Sequence, residues 1–207
     1  MMTMDFAGAG SQALAWLHSV GGSSRTILEA TDRYIPTSLA EAVGHMPEKF
    51  TSVETGNALA QHAYERAKKL AKPGTPVFGV GCTATIATDR AKKGDHRCVV
   101  SVHDSLGTLS YEMIITKGAR DRQGEENLVS FLILNALAEA SGIFDIEELP
   151  LVKGEQVVKA FLPAPELSKL ISGELSWLLI APDGSFTTGE SQQNKTLPNI
   201  AVLSGSF

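Results

Sequence analysis

The order of hydrophobic patterns along the chain constrains its fold more than any other feature. Residues 77–81 and 98–102 are short apolar runs typical of buried strands, and apolar residues alternate with polar ones over 109–116. Apolar residues at helical spacing precede these runs at 53–70 and follow them at 125–140. Helices that alternate with strands in this way predict an α/β domain in which a sheet is layered between helices.

Capping and turn residues predict where individual elements begin. Ser11 is predicted to be the N-cap of a first helix, and a strand is predicted over 25–34. Residues 38–41 have the spacing of a capping box ahead of a short helix that ends at Gly44, and residues 51–54 repeat that spacing ahead of a longer helix. These signals separate the hydrophobic runs into distinct elements.

Composition excludes several classes of protein. Of the 207 residues, 43% are hydrophobic and 20% charged, and no apolar run approaches the ~20 residues that a membrane-spanning helix needs. The net charge of −5 disfavours a nucleic-acid-binding surface. Two cysteines are too few for a disulfide framework, and the five histidines have no metal-binding spacing. With no visible signal peptide, these features predict a cytoplasmic protein without a metal, cofactor, nucleic-acid or membrane partner.

The sequence pattern changes after residue 143. We predict an α/β domain over 1–143, a linker with a small α+β appendage over 144–198, and a new buried strand over 199–207. Within the second segment, residues 165–171 are predicted to form a short helix and residues 175–181 a strand.

The first candidate site is the turn that contains Gly8, Gly10 and Ser11. Glycines allow a ligand to approach the backbone closely, and a helix N-terminus presents free N–H groups to an anion. The same residues are equally suited to a tight connection between a strand and a helix. Both interpretations stay open at this stage.

A second candidate site lies where the strand of residues 77–81 ends. Gly81, Cys82, Thr83 and Thr85 follow the apolar run, at the position where α/β sheets bind ligands. The threonines offer hydroxyl groups. For Cys82, a small buried apolar side chain is favoured over a nucleophile, since no histidine is near it in the sequence.

Basic residues in two loops are further candidates. Arg90 and Arg97 could bind a phosphate, but interleaved aspartates favour a solvated loop. Arg120 and Arg122 precede the helix of residues 125–140 and allow the same two interpretations. His62 is predicted to be packed rather than catalytic.

Several short motifs in register resemble the CinA C-terminal domain family, which includes bacterial nicotinamide mononucleotide deamidases. These are the Gly-rich turn at 19–24, Tyr34, the strand end at 79–85, the hairpin and the turn at 118–120. The resemblance covers about residues 4–142. It implies a three-layer α/β/α sandwich and an amidase site between the Gly-rich turn and the segment around Tyr34.

One branch of this family is more similar still. Residues 81–90 and 93–97 resemble a CinA-like branch in which the domain precedes a nucleotidyltransferase-type domain. Residues 201–207 resemble the first strand of such a domain, which implies that the chain is part of a longer protein. The resemblance also implies a homo-oligomer.

The residues at the catalytic positions differ from those of the family. The deamidases carry a nucleophilic serine in Glu-Ser-x-Thr-Gly-Gly and a lysine base in Tyr-Ser-Asn-x-x-Lys, since a free serine hydroxyl is a poor nucleophile. Alignment through residues 19–24 places Ala7 at the serine position. Alignment through Tyr34 and Gly44 places Leu39 at the lysine position. Both members of the dyad are therefore missing.

These observations favour a CinA-like domain that retains a pocket for a nucleotide-like or other small anionic ligand, or acts as an oligomerisation and regulatory module. The alternative is an active amidohydrolase that uses Ser11 or Thr83 as a displaced nucleophile. A purely structural domain is the third hypothesis. The predicted ligand contacts are Gly8, Ala9, Gly10, Ser11, Tyr34, Gly81, Cys82, Thr83 and Arg120.

Overall fold

A computed structural model describes residues 1–89, 93–144, 146–181 and 184–189. Its main sheet contains six strands: β1 (Met2–Ala7), β2 (Ile27–Asp32), β3 (Phe78–Thr85), β4 (His96–His103), β5 (Gly107–Ile115) and β6 (Val157–Pro163). Their order across the sheet is β2-β1-β3-β4-β5-β6. Strand β1 pairs in parallel with β2 and β3, and the three remaining pairs are antiparallel.

Helices cover both faces of this sheet. On one face lie α1 (Ser11–Ser19) and α4 (Arg122–Ala140), and on the other lie α2 (Pro36–Val43) and α3 (Val53–Leu70). A small appendage consists of α5 (Pro165–Ser172) and the two-stranded sheet of β7 (Trp177–Ile180) and β8 (Phe186–Gly189). The predicted α/β/α sandwich with a small α+β appendage is confirmed. No helix in the described ranges has the length and apolar character that crossing a membrane requires.

The larger core lies between the sheet and the α1–α4 layer. Alternate residues of four strands face it, as the period of a β-strand requires, and α4 contributes its apolar stripe. Tyr111, Met113 and Ile115 of β5 are buried there, which confirms the alternation predicted for that strand. Leu128, Leu132 and Ala136 of α4 belong to the same buried cluster.

The opposite face is closed by unusually close contact between α3 and β3. A Cβ atom at Gly79 would overlap the backbone oxygen of Ala60, and one at Gly81 would overlap backbone atoms of Ala60 and Gly56. The backbones of helix and strand therefore touch directly. Gly81, which was predicted to belong to a ligand site at the end of this strand, and Gly79 therefore serve to bring α3 close to the sheet.

Several element boundaries differ from the predictions. Helix α2 begins at Pro36, with Ile35 as its N-cap, so residues 38–41 do not form the predicted capping box. Strand β3 continues through Thr85 instead of ending near Gly81. Helix α3 is confirmed, but its N-cap is Ser52, which accepts a hydrogen bond from the Thr55 amide, so the capping box predicted over residues 51–54 is displaced by one residue.

Strand β6 was not predicted. It falls within the segment assigned to the linker and appendage, yet it pairs with β5 as the edge of the main sheet. Most of its side chains are exposed, so its sequence has no alternating pattern to reveal it. Arg90 and the strand predicted over 199–207 lie outside the described residues.

The contact between α3 and β3 makes a direct prediction. Gly79→Ala places a methyl group against the Ala60 carbonyl, so the free energy of unfolding should fall by about 3 kcal/mol or more. Gly94 has open space around its α-carbon and serves as the matched control. Urea denaturation should show Gly94→Ala within about 0.5 kcal/mol of the wild type, and an equally small effect at Gly79 would contradict the described contact.

Candidate functional site

A cavity of about 150 Å³ lies at the carboxyl ends of β1 and β3. From β1 the chain passes through α1 to β2 on one side, and it then crosses over to β3 on the other side. Such a reversal of strand order opens a crevice in which α/β sheets bind ligands. Residues that line this switch-point cavity include Ala7, Gly8, Arg33, Tyr34, Leu39, Thr51, Thr83 and Thr85.

The two positions aligned with the serine–lysine dyad meet beside this cavity. Ala7 and Leu39 belong to one buried apolar cluster with Ala42 and Leu59. The cluster contains no hydroxyl, amine or imidazole group. Both positions that the alignment paired therefore lie in one apolar cluster, and neither of their side chains carries a nucleophile or a base.

Thr83 also lines the cavity, but its hydroxyl group forms a structural hydrogen bond and is not activated as a nucleophile. Its Oγ1 donates a hydrogen bond to the Phe50 carbonyl oxygen over 2.5 Å, and the residue is 1% exposed. A backbone carbonyl does not remove a proton from a hydroxyl group. Thr83 therefore anchors the loop before α3 and has no general base in this arrangement.

The N-terminus of α1 is occupied by a carboxylate of the protein itself. Oε1 of Glu126, on α4, accepts hydrogen bonds of 3.0 Å from the Gly10 amide, the Ser11 hydroxyl and the Gln12 amide. The N-cap of α1 is Gly10, so the predicted capping role of Ser11 is wrong. The helix end is satisfied from the facing helix instead.

A second acidic group lies near this turn. Burial, and then the neighbouring Glu126 carboxylate, raise the pKa of Asp32 at the end of β2. Negative charge therefore already surrounds the amides of the Gly8–Ser11 turn. Among the described residues, the Ser11 hydroxyl is paired with a carboxylate and not with a lysine, the base that the family uses.

The remaining predicted contacts lie away from the cavity or beneath its surface. Cys82 is fully buried, its Sγ donates to the Ala9 carbonyl over 3.6 Å, and burial raises the pKa of its thiol well above the usual value. Gly81 faces α3. Arg120 forms two hydrogen bonds of 2.8 Å to Glu155 and another to the Pro150 carbonyl. Tyr34 lies at the rim of the cavity and is 68% exposed.

The structure identifies a polar network that sequence reasoning missed. Asp5, buried in β1, accepts a hydrogen bond of 3.0 Å from Nε of Arg33, and Nδ1 of His62 lies 2.6 Å from its other oxygen. Arg33 follows β2 and reaches the switch-point cavity. His62, predicted to be packed, is instead half-buried, with a 36% exposed side chain that pairs with Asp5. An aspartate in the otherwise apolar or small run of β1 was the available signal.

Two threonines complete the polar side of the cavity. The hydroxyl oxygens of Thr51 and Thr85 are 3.0 Å apart, so one donates to the other and one hydroxyl hydrogen stays available. The described residues contain no group of three or more histidine, cysteine, aspartate or glutamate side chains that could hold a metal ion. The donors at this cavity are hydroxyl groups and a guanidinium, which suit an anion.

Comparison with known proteins supports the fold. No family model and no curated protein sequence matches the chain. The crystal structure of the competence/damage inducible protein CihA from Agrobacterium tumefaciens is similar, with a TM-score of 0.52 and 15% identity over 69% of this chain and 85% of that one. A CinA superfamily protein from Enterobacter cloacae has a TM-score of 0.47 and 12% identity over 68% and 81% of the two chains. At this identity the likeness to CihA shows a CinA-like fold and nothing finer.

The Glu126 contact can be tested through α1. Glu126→Ala should lower the free energy of unfolding by about 1 kcal/mol, because the Gly10 and Gln12 amides at the start of α1 lose the carboxylate that accepts their hydrogen bonds. It should also free amides that bind an anion, so phosphate should stabilise this variant more than the wild type. Glu126→Gln, which retains an acceptor, is the control. Equal phosphate effects on all three proteins in thermal denaturation would contradict the assignment.

The Arg120–Glu155 pair makes a pH-dependent prediction. Hydrogen bonds from Arg120 and from two backbone amides outweigh the effect of burial and lower the pKa of Glu155 to about 2. Because the folded pKa lies below the unfolded one, the pair stabilises the fold fully above about pH 4.5 and loses this effect as the pH falls towards 2.

Glu155→Gln should therefore cost about 2 kcal/mol at pH 7 and progressively less below pH 4. Urea denaturation at pH 7 and pH 3 measures both values. The exposed Glu41, changed to Gln, should have little effect at either pH. A cost at Glu155 that does not shrink in acid would rule out this linkage.

Proposed function

We propose that this chain, which has a CinA-like fold, binds a small anionic, nucleotide-like ligand in the switch-point cavity without hydrolysing it. The observation that carries this proposal is the apolar cluster that contains both Ala7 and Leu39, the residues aligned with the family's serine–lysine dyad. A cavity with donor groups beside it is retained, while the groups that would perform amide hydrolysis are replaced. Binding and catalysis are therefore separable in this chain.

Arg33 supports the choice of an anionic ligand. Its Nε is held by the buried Asp5, which orients the guanidinium plane; among the described residues the side chain forms no other hydrogen bond or ion pair, although its charge also acts on the Glu29 carboxylate. The terminal N–H groups can therefore bind a phosphate or carboxylate at the cavity in two-point fashion. Thr51 and Thr85 provide a further hydroxyl donor on the same cavity.

The size of the cavity limits what enters it. A volume of about 150 Å³ accommodates a phosphate group and a few further atoms but not a whole nucleotide. We infer that the anionic group lies inside and that the rest of the ligand extends past the exposed ring of Tyr34. An aromatic ring at this position can stack on a planar heterocycle.

Binding without turnover suits a regulatory module. In the branch of the family that this chain resembles, the domain is joined to a nucleotidyltransferase-type domain. Such an attached transferase is the activity that the module would regulate. That joined domain, and the homo-oligomer implied by the same resemblance, remain predictions.

One observation favours the alternative of a displaced catalytic centre. The Ser11 hydroxyl donates to the Glu126 carboxylate over 3.0 Å, and a carboxylate can act as a general base. That carboxylate also accepts hydrogen bonds from the Gly10 and Gln12 amides, so it already serves to satisfy the N-terminus of α1. Non-hydrolytic binding is therefore the better-supported function.

Binding is tested by thermal denaturation with nicotinamide mononucleotide, nicotinic acid mononucleotide and inorganic phosphate. At a ligand concentration of about 100 times Kd, stabilisation of about 2.7 kcal/mol should raise Tm by roughly 5–10 °C. Arg33→Gln should abolish the rise relative to its own ligand-free Tm. Arg66→Gln, which changes an arginine paired with Glu29 outside the cavity, should retain it. No shift with any of the three compounds would refute the proposal.

Turnover is tested separately by mass spectrometry of the product. Incubation with nicotinamide mononucleotide should yield no nicotinic acid mononucleotide above a protein-free control. Formation of the product that is lost in Ser11→Ala or in Thr83→Ala would establish an amidohydrolase with a displaced nucleophile. That result would overturn the non-hydrolytic function even if binding is observed.

A further inference from the structure

A larger cavity lies at the opposite end of the strands of the main sheet. It has a volume of about 620 Å³, within the range of small-molecule sites, and is formed by the end of α1, the turn that follows it and the start of β2. The amide of Met2, at the amino end of β1, donates to the Thr26 carbonyl in this region. The switch-point cavity is at the carboxyl end of the same strand, so this turn cavity is a separate feature.

The lining of the turn cavity is predominantly apolar. Its side chains include Trp16, Leu17, Val20, Ile27 and Leu134. The Trp16 ring packs on Phe131 of α4 with ring centroids 4.8 Å apart, which holds the indole in place. A flat aromatic wall with branched aliphatic neighbours suits a ring or a branched hydrocarbon body.

Backbone hydrogen bonds hold the turn in shape. The Arg25 amide donates to the Gly22 carbonyl over 2.9 Å and the Thr26 amide to the Ser23 carbonyl over 2.8 Å, which forms a single 3₁₀ turn. The Ser19 hydroxyl donates to the Trp16 carbonyl over 2.7 Å and satisfies a group at the end of α1. A wall that is ordered without ligand lowers the entropic cost of binding.

One positive charge faces this apolar wall. The Arg25 guanidinium lies against Gly22, where a Cβ atom would be 2.6 Å from one of its terminal nitrogens, so the glycine leaves room for it. Arg25 lines the cavity, and no ion pair joins it to a carboxylate within the described ranges. Its charge is therefore available to an incoming anion.

We propose that the turn cavity binds an amphipathic monoanion, which is an aromatic or branched apolar body that carries a single carboxylate, sulfonate or phosphate. The apolar body packs on Trp16 and Leu134, and the anionic group pairs with Arg25. The proposal does not depend on the function assigned to the switch-point cavity, and the failure of either leaves the other standing.

Two fluorescent probes that differ in one charge test the chemistry. The probe 8-anilinonaphthalene-1-sulfonate has an apolar ring system and one anion, and N-phenyl-1-naphthylamine has the same rings without the sulfonate. Arg25→Gln should weaken binding of the sulfonate about fivefold, as expected for a partly exposed ion pair, and leave the uncharged probe unchanged. Lys72→Gln, which removes an exposed cation outside the cavity, should affect neither. Equal weakening of both probes, or of neither, by Arg25→Gln refutes the proposal.

The two tryptophans test the location. In Trp177→Phe, the emission comes from Trp16, and the bound sulfonate probe should quench most of it. In Trp16→Phe, the remaining Trp177 lies on β7 in the appendage, and quenching should be much weaker. Stronger quenching of Trp177 than of Trp16 would place the probe elsewhere and overturn the assignment.

Discussion

Direct contact between the backbone of α3 and that of β3 is the constraint on which the rest of the structure depends. It requires Gly79 and Gly81 to lack side chains where Ala60 and Gly56 approach. With α3 this close to the sheet, Leu59 reaches the Ala7–Leu39 cluster from the helix side, and the Thr3 hydroxyl donates to the Ala63 carbonyl. The second layer of the sandwich thus owes its position to small residues rather than to a large apolar interface.

The same contact determines the polar network next to the cavity. Because α3 lies over β1, His62 reaches Asp5 and shares that buried carboxylate with Arg33. A buried charge persists only with partners that satisfy it, and two basic side chains do so here. The position of the Arg33 guanidinium, which we assign to ligand recognition, therefore depends on Asp5, and Asp5 is also held by His62 from α3.

Electrostatics distinguish the two ends of the α1 layer. At the N-terminus, Glu126 crosses from α4 and takes the amides that a free helix end would offer to an anion. At the C-terminus of α1 lies the apolar turn cavity, which Arg25 lines. The internal carboxylate explains why the glycine-rich turn is better described as a tight connection, and it moves the proposed anion site from backbone amides to Arg33.

The hydrophobic periods determined much of the fold, because alternation and helical spacing are local consequences of which residues face a core. Strands β2 to β5 and helices α3 and α4 followed from them, whereas β1 was not among the predicted elements and the exposed edge strand β6 left no such pattern. Alignment alone also indicated that Ala7 and Leu39 replace a dyad. Only the tertiary structure decided that Glu126 caps α1, that Glu155 holds Arg120 and that Arg33 reaches the cavity. Each of these contacts joins residues far apart in the chain, and hydrogen bonds and ion pairs of that kind depend on distances that no sequence spacing records.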